Sequence, residues 1–205
     1  MHGNKTSSQT IACEPIEAGD RAAARRELRA RRAAMGGPGR LEAAAGLGAR
    51  LRELVAESGR QVLAGYWAMK DEPDFEAVMA RWHADGLQVA LPRVVASEAP
   101  LVFTRWRPGT PLVPGPFGTL HPDDPEPVTP QLLVIPCLGF DARCFRLGYG
   151  GGYYDRTLEQ LPGALTVGVA YDCCEVRGFV PHEHDLPLDW VITERRVLRR
   201  SAPSG

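Results

Sequence analysis

The sequence predicts an α/β fold, a three-layer α/β/α arrangement around a mostly parallel sheet. Two successions of elements predict it. Residues 61–67, 74–85 and 87–91 read as strand, helix and strand, the order that right-handed crossovers build. Residues 132–135, Leu-Leu-Val-Ile, form a continuous apolar run of the kind a strand covered on both faces shows. A glycine-rich loop, a helix over 153–161 and a second apolar run over 165–171 follow it.

With 205 residues the chain is long enough for one well-buried core, and no break in composition divides it. A single domain is expected over residues 20–195, between a flexible N-terminal tail (1–19) and a frayed C-terminal tail (196–205). A formal charge of -1 gives no electrostatic reason to expect nucleic acid or an anionic membrane as partner. Small-molecule partners fit better, and the chain is expected to act as a monomer. No apolar run approaches the ~20 residues of a membrane helix, and the N-terminus lacks the apolar core of a secretory signal, so a cytoplasmic location is expected. The five cysteines, Cys13, Cys137, Cys144, Cys173 and Cys174, include no C-x-x-C pair, and their odd number argues against a disulfide framework.

Taken in order, Asp20 is a candidate N-cap for a helix over 21–35, closed by Gly36-Gly37-Pro38. That helix carries six arginines, and Arg21, Arg25 and Arg32 share one stripe with Leu28, with Arg29 beside it. A basic helix is ordinarily a solvated face, but here the rest of the chain compensates to near neutrality, which makes the positive field local. A second helix over 41–58 carries Leu47, Leu51, Leu54 and Val55 on its buried side and ends at Gly59. The strand over 61–67 runs into Asp71-Glu72-Pro73, where acids beside proline are ordinary turn residues. Phe75, Val78, Met79 and Trp82 recur at helical spacing and read as core.

Strands over 87–91 and 101–106 flank Pro92-Arg93. Residues 107–130 are rich in Pro and Gly and lack periodicity, and long irregular segments of this kind in a compact domain tend to be functional. After the run 165–171 come Asp172-Cys173-Cys174 and then His182-Glu183-His184-Asp185. The latter invites a zinc reading, but no third nitrogen or sulfur ligand sits at a useful spacing. Cys174 reads as a small packed side chain. A last strand spans 190–193.

The loop before the 153–161 helix carries the chemistry. Gly148, Gly150, Gly151 and Gly152 remove the side chains that would hold a ligand away from the backbone, so a row of N–H groups can face an anion. The helix start behind them adds the positive end of its dipole, and Arg146 adds a planar, permanently charged fork. Glycine-rich turns also arise simply from unusual backbone angles. Neither standard nucleotide motif is present: a G-x-G-x-x-G beginning at Gly148 meets Tyr153 where it needs glycine, and no Gly-Lys-Ser/Thr ending follows.

The run Arg146-Leu147-Gly148-Tyr149-Gly150-Gly151-Gly152-Tyr153-Tyr154-Asp155, preceded by Phe140-Asp141, closely resembles the signature of the 5-formyltetrahydrofolate cyclo-ligase (methenyltetrahydrofolate synthetase) family, and the resemblance extends from about residue 21 to 194. It implies an ATP-dependent conversion of 5-formyltetrahydrofolate to 5,10-methenyltetrahydrofolate, and a fold broadly like that of sugar-phosphate isomerases and CoA-transferases. It implies that ATP contacts Arg21, Arg25, Arg146, Leu147, Gly148, Tyr149, Gly150, Gly151, Gly152, Tyr153 and Tyr154. The folate would lie against Trp67, Glu72, Tyr149, Gly150, Gly151, Gly152 and Tyr153, and Mg²⁺ against Asp155 and Asp185. Arg146 and Asp155 are the implied catalytic pair. Arg21 stands where the family commonly has lysine, His121 where it usually has glutamate, and Cys174 where glutamine is expected. Those last two departures keep open a folate- or nucleotide-binding paralog without turnover, and fold analogy alone leaves an isomerase or acyl-transferase relative.

Overall fold

The computed structural model describes residues 14–123 and 126–201, so Cys13 and the outer parts of both expected tails, 1–13 and 202–205, lie outside the described residues. In chain order the elements are β1 (Ile16–Glu17), α1 (Arg21–Ala34), α2 (Gly36–Ser58), β2 (Val62–Ala64), α3 (Glu76–Ala84), β3 (Gln88–Arg93), β4 (Val102–Trp106), β5 (Leu112–Pro114), β6 (Leu120–Pro122), β7 (Leu132–Pro136), β8 (Gly139–Phe140), β9 (Arg146–Leu147), α4 (Tyr153–Gln160), β10 (Leu165–Val169), β11 (Val176–Arg177), β12 (Trp190–Ile192) and β13 (Val197–Arg199). Asp20 caps α1 as expected, accepting from the N–H groups of Ala22 and Ala23 at 2.9 and 3.0 Å.

Seven strands form one sheet in the order β13-β12-β10-β7-β2-β3-β4. The pairs from β12 through β3 are parallel, and the two edge strands, β13 and β4, are antiparallel. The fold is therefore a mixed α/β one with a mostly parallel central sheet. Strand periodicity divides its core: Leu132 and Val134 of β7 pack with Leu28 of α1, Leu47 and Leu51 of α2, and Met79 and Trp82 of α3. The alternate residues Leu133 and Ile135 pack on the other face with Leu158 of α4, Phe103 and Leu188. Each such side chain, wholly withdrawn from water, contributes about 1.5–3 kcal/mol. Helices and loops cover both faces, which is why β7 reads as an unbroken apolar run.

Several expectations are corrected. The chain is ordered into the body before residue 20: Ile16 and Glu17 pair in parallel with Val176 and Arg177, and Ile16 and Ala18 are buried. Residues past 195 likewise hold β13 on the sheet edge instead of fraying. The strand expected over 61–67 keeps only three residues, and Pro92-Arg93, expected as a connection, belongs to β3. The segment 107–130 contains a hairpin of β5 and β6 rather than irregular chain alone. Gly36-Gly37-Pro38 does break the first helix, with Gly36 at φ 66°, but α2 begins at once and runs through the proline, whose missing N–H is harmless in a first turn.

Because β2, β7, β10 and β12 run parallel, their carboxyl ends deliver four connections to one end of the sheet, the usual place for a ligand in open α/β folds. The β2–α3 connection carries Glu72, the β7–α4 connection carries the glycines, and residue 185 lies on the approach to β12.

Candidate active site

The glycine loop meets α1 here. The Nε of Arg25 donates to the carbonyl of Gly148 at 2.9 Å, and its guanidinium carbon and two terminal nitrogens stand 3.5–3.7 Å from where a Cβ on Gly150 would be. Burial, then Arg21 and Arg29, draw the Arg25 pKa down, as expected where three cations share one helix face. Gly150 and Gly152 have φ of 102° and 66°, angles that side chains rarely tolerate. Gly148 is different: among the described residues nothing lies within 4 Å of a Cβ placed there, so neither their packing nor the backbone angle requires the glycine. Gly151, whose added Cβ would touch the Tyr153 ring at 2.8 Å, is pinned by Arg156, which donates to its carbonyl at 2.9 Å. The helix α4 starts from Gly152 with no side-chain cap, leaving its first N–H groups to whatever anion approaches.

Arg146 does not stand open at the loop entrance as expected. Its side chain is 6% exposed and donates to Oδ1 of Asp155 at 2.5 Å and to the carbonyl of Leu186 at 3.1 Å. Leu147 beside it is buried in β9. A buried guanidinium needs a paired carboxylate, and the first turn of α4 supplies one. Arg21 is also paired: it donates to Asp185 Oδ2 at 2.6 Å and to the carbonyl of Val180 at 2.7 Å, with its guanidinium 4.6 Å over the Phe179 ring. Burial pushes the Asp185 carboxyl up, but the Arg21 fork and the His182 N–H together hold it below the usual carboxylate value.

Both expected metal ligands are thus held by arginine through one oxygen. Among the described residues, Asp155 Oδ2 and Asp185 Oδ1 accept no hydrogen bond, and no three His, Cys, Asp or Glu side chains gather into a site of their own. Each aspartate leaves one hard oxygen free, the ligand type a magnesium ion takes when water and other oxygens complete its shell. The two aspartates would not hold one unaided.

On the other side of the loop, Glu72 is buried and accepts the Tyr149 hydroxyl at 2.6 Å through Oε1 and the Met69 N–H at 2.9 Å through Oε2. Trp67 lies in the same connection, tilted on Trp106 with ring centres 6.3 Å apart. Tyr149 in turn accepts from Nη1 of Arg32 at 3.0 Å, and Arg29 stands 5.8 Å over its ring. Burial first, then the Glu72 charge, push the Tyr149 phenol up. Tyr153 contacts Phe117, which occupies the tip of the β5–β6 hairpin at φ 62°, with rings 5.8 Å apart. Tyr154 is partly buried, and burial raises its pKa as well.

The structure therefore brings Arg25, the glycine loop, Tyr149 and Glu72 together, and closes Arg21 and Arg146 onto the two aspartates. His121 lies in β6 with its Nδ1 2.9 Å from the Pro122 carbonyl, and Cys174 is buried. Arg32 was not among the expected site residues, although its place on the stripe with Arg21, Arg25 and Leu28 was a signal that it faces inward. Two surface clefts lie elsewhere, one between α2 and α3 beside Arg52 and Trp82, the other beside Leu101 and Pro127.

Comparison with known proteins bears on the family and the fold. The profile of the 5-formyltetrahydrofolate cyclo-ligase family matches residues 17–194. A protein named 5-formyltetrahydrofolate cyclo-ligase from Mycolicibacterium smegmatis is 34% identical over 154 residues, covering 69% of this chain and 77% of that one. One of the same name from Haemophilus influenzae is 41% identical over 96 residues, 43% of this chain and about half (51%) of its own length. The NMR structure of Aquifex aeolicus 5,10-methenyltetrahydrofolate synthetase superposes with a TM-score of 0.77 at 26% identity, over 90% of this chain and 95% of that one.

Proposed function

The chain belongs to the 5-formyltetrahydrofolate cyclo-ligase family, and from that premise we propose that it uses ATP to convert 5-formyltetrahydrofolate into 5,10-methenyltetrahydrofolate, ADP and phosphate. The observation that carries the assignment to a site is the docking of Arg25 on the glycine loop while Tyr149 of that loop meets Glu72. One short loop then has a phosphate-binding side and a folate-binding side.

A formamide oxygen leaves poorly. Transfer of the γ-phosphoryl group to it makes an imidate-like phosphate ester; N10 of the same folate attacks the activated carbon and loses its proton, and the carbon–oxygen bond breaks as phosphate departs with that oxygen. No protein nucleophile takes part. Catalysis is positioning and charge neutralisation, the terms that dominate phosphoryl transfer. In this scheme the N–H groups from Gly148 to Tyr154 and the Arg25 guanidinium hold phosphate oxygens, Arg146 stands beside them paired with Asp155, and Arg21 covers them from α1 while paired with Asp185. Asp155 and Asp185 would hold Mg²⁺, which when bound supplies further neutralisation of phosphate charge. Glu72, an acceptor only, suits the amino and ring N–H donors of a pterin, with Trp67 as an apolar wall. Tyr149 through Tyr153 line the formyl end.

We further place the enzyme in the cytoplasm as a monomer. Kinship of the sheet with sugar-phosphate isomerases and CoA-transferases is proposed on the parallel strand order alone and assigns no activity. A coupled assay for ADP, run with and without 5-formyltetrahydrofolate while the methenyl absorbance is followed, tests the function. Stoichiometric ADP and chromophore support it; folate binding without ADP release marks a binding paralog, and turnover without ATP marks a different chemistry.

A further inference from the structure

Beneath the loop lies a guanidinium that the proposed chemistry does not use. Arg32 is 2% exposed on α1, donates through Nη1 to the Tyr149 oxygen at 3.0 Å and through Nη2 to the carbonyl of Cys137 at the end of β7, and its Nε has no hydrogen-bond partner among the described residues. A charge so buried requires compensation, yet among the described residues its side-chain partners are the Tyr149 oxygen and the Cys137 carbonyl, with no carboxylate. The nearest acid on its path is Glu72, one hydroxyl away.

The donor inventory fixes the direction of this chain. Arginine can only donate and an ionised carboxylate can only accept; a phenol has one proton and accepting lone pairs. With Arg32 donating to the Tyr149 oxygen, the phenol proton has one destination in the contact set, Glu72 Oε1 at 2.6 Å. The Met69 N–H holds Oε2. The carboxylate is then pinned at both oxygens, and the lone pairs that remain are the ones a ligand can use. Without Arg32 the hydroxyl is free to rotate and accept, and Glu72 loses a short, charge-assisted bond.

We propose that Arg32 is a positioning residue for the folate half of the site, acting through the Tyr149 hydroxyl to fix Glu72 for recognition of the substrate's N–H donors. The inference rests on the assignment of Glu72 to the folate. It predicts a split: the loss falls on folate affinity and leaves nucleotide affinity largely alone, because Arg25 and the α4 N-terminus belong to the other side of the loop.

The test compares Arg32→Met, Tyr149→Phe and the double variant in the full chain, after thermal melts have verified folding. Each single variant is expected to raise the KM for 5-formyltetrahydrofolate about tenfold, the loss of one charge-assisted hydrogen bond, with a change below about twofold in the KM for ATP. The double variant should be no worse than the poorer single one, since both cut the same chain. Equal losses in both KM values, or additive losses in the double variant, would overturn it. If Arg32→Met does not fold, Tyr149→Phe, which leaves the buried guanidinium in place, decides by the same split. The side-chain carboxyl ¹³C resonance of Glu72, read without any ligand, separates this inference from the functional one. A shift common to both single variants supports the relay even if folate proves not to be the substrate, and an unmoved resonance refutes it even if folate is turned over.

Discussion

Asp155→Ala is the most informative single change, because it removes a proposed metal ligand and the partner of a buried cation together. Arg146 has a side chain 6% exposed and Asp155 22% exposed, 2.5 Å apart. After the substitution Arg146 keeps, among the described residues, only the Leu186 carbonyl at 3.1 Å. Stripping one member from a buried pair costs about 3–5 kcal/mol, and the partial exposure of Asp155 favours the lower end. At an m-value of about 2 kcal/mol per molar urea, a 3 kcal/mol loss lowers the unfolding midpoint by roughly 1.5 M. Asp155→Asn retains an acceptor and should recover part of that stability without recovering methenyl formation. Arg146→Met combined with Asp155→Ala removes the stranded charge and should unfold at higher urea than Asp155→Ala alone, still without turnover. Urea melts followed by tryptophan fluorescence, beside the absorbance assay, read both quantities. A wild-type midpoint with full activity in Asp155→Ala would refute the pairing and the role of the carboxylate together; strictly additive destabilisation in the double variant would refute the pairing alone.

Two further changes probe the loop and the second aspartate. Gly148→Ala should leave the melting temperature almost unchanged, since nothing lies within 4 Å of the added methyl, but raise the KM for ATP by crowding the backbone where phosphate approaches. Gly150→Ala, at φ 102°, should cost stability by about 1 kcal/mol or more, readable in the same melts. The depressed Asp185 pKa gives a signed pH dependence: its stabilisation is complete above the ordinary carboxylate value of 3.8 and is lost as pH falls below it. The stability gap between wild type and Arg21→Met should therefore be constant near neutrality and narrow as urea melts are taken toward pH 3; a gap that widens in acid would contradict the Arg21–Asp185 assignment.

What the sequence disclosed and what it withheld follow one physical division. β7, α4 and β10 were legible because a doubly covered strand must be continuously apolar and because Pro136 and Pro162-Gly163 punctuate the run. β1 and β13 were not: two or three residues at a sheet margin are ordered by their partners, Val176 and Val191 among them, and carry no periodicity of their own. The β5–β6 hairpin hid in a segment whose prolines and glycines resemble plain loop. At the site, residue types were legible, but their pairing was not. Arg146 and Asp155 are nine positions apart across a turn, and Arg21 and Asp185 are 164 apart, so only the fold decides which cation meets which carboxylate. Arg32 shows the intermediate case, placed correctly on the helix stripe yet silent about the Tyr149 and Glu72 contacts that give its charge a use.

The central claim is that triphosphate lies on the backbone between Gly148 and Tyr154, beneath Arg25. A crystal structure with 5-formyltetrahydrofolate and a non-hydrolysable ATP analogue tests it directly. The account predicts the γ-phosphate within hydrogen-bond distance of those N–H groups, with the pterin at Glu72; a nucleotide lodged in the cleft between α2 and α3 beside Trp82, or anywhere away from the glycine loop, would contradict it.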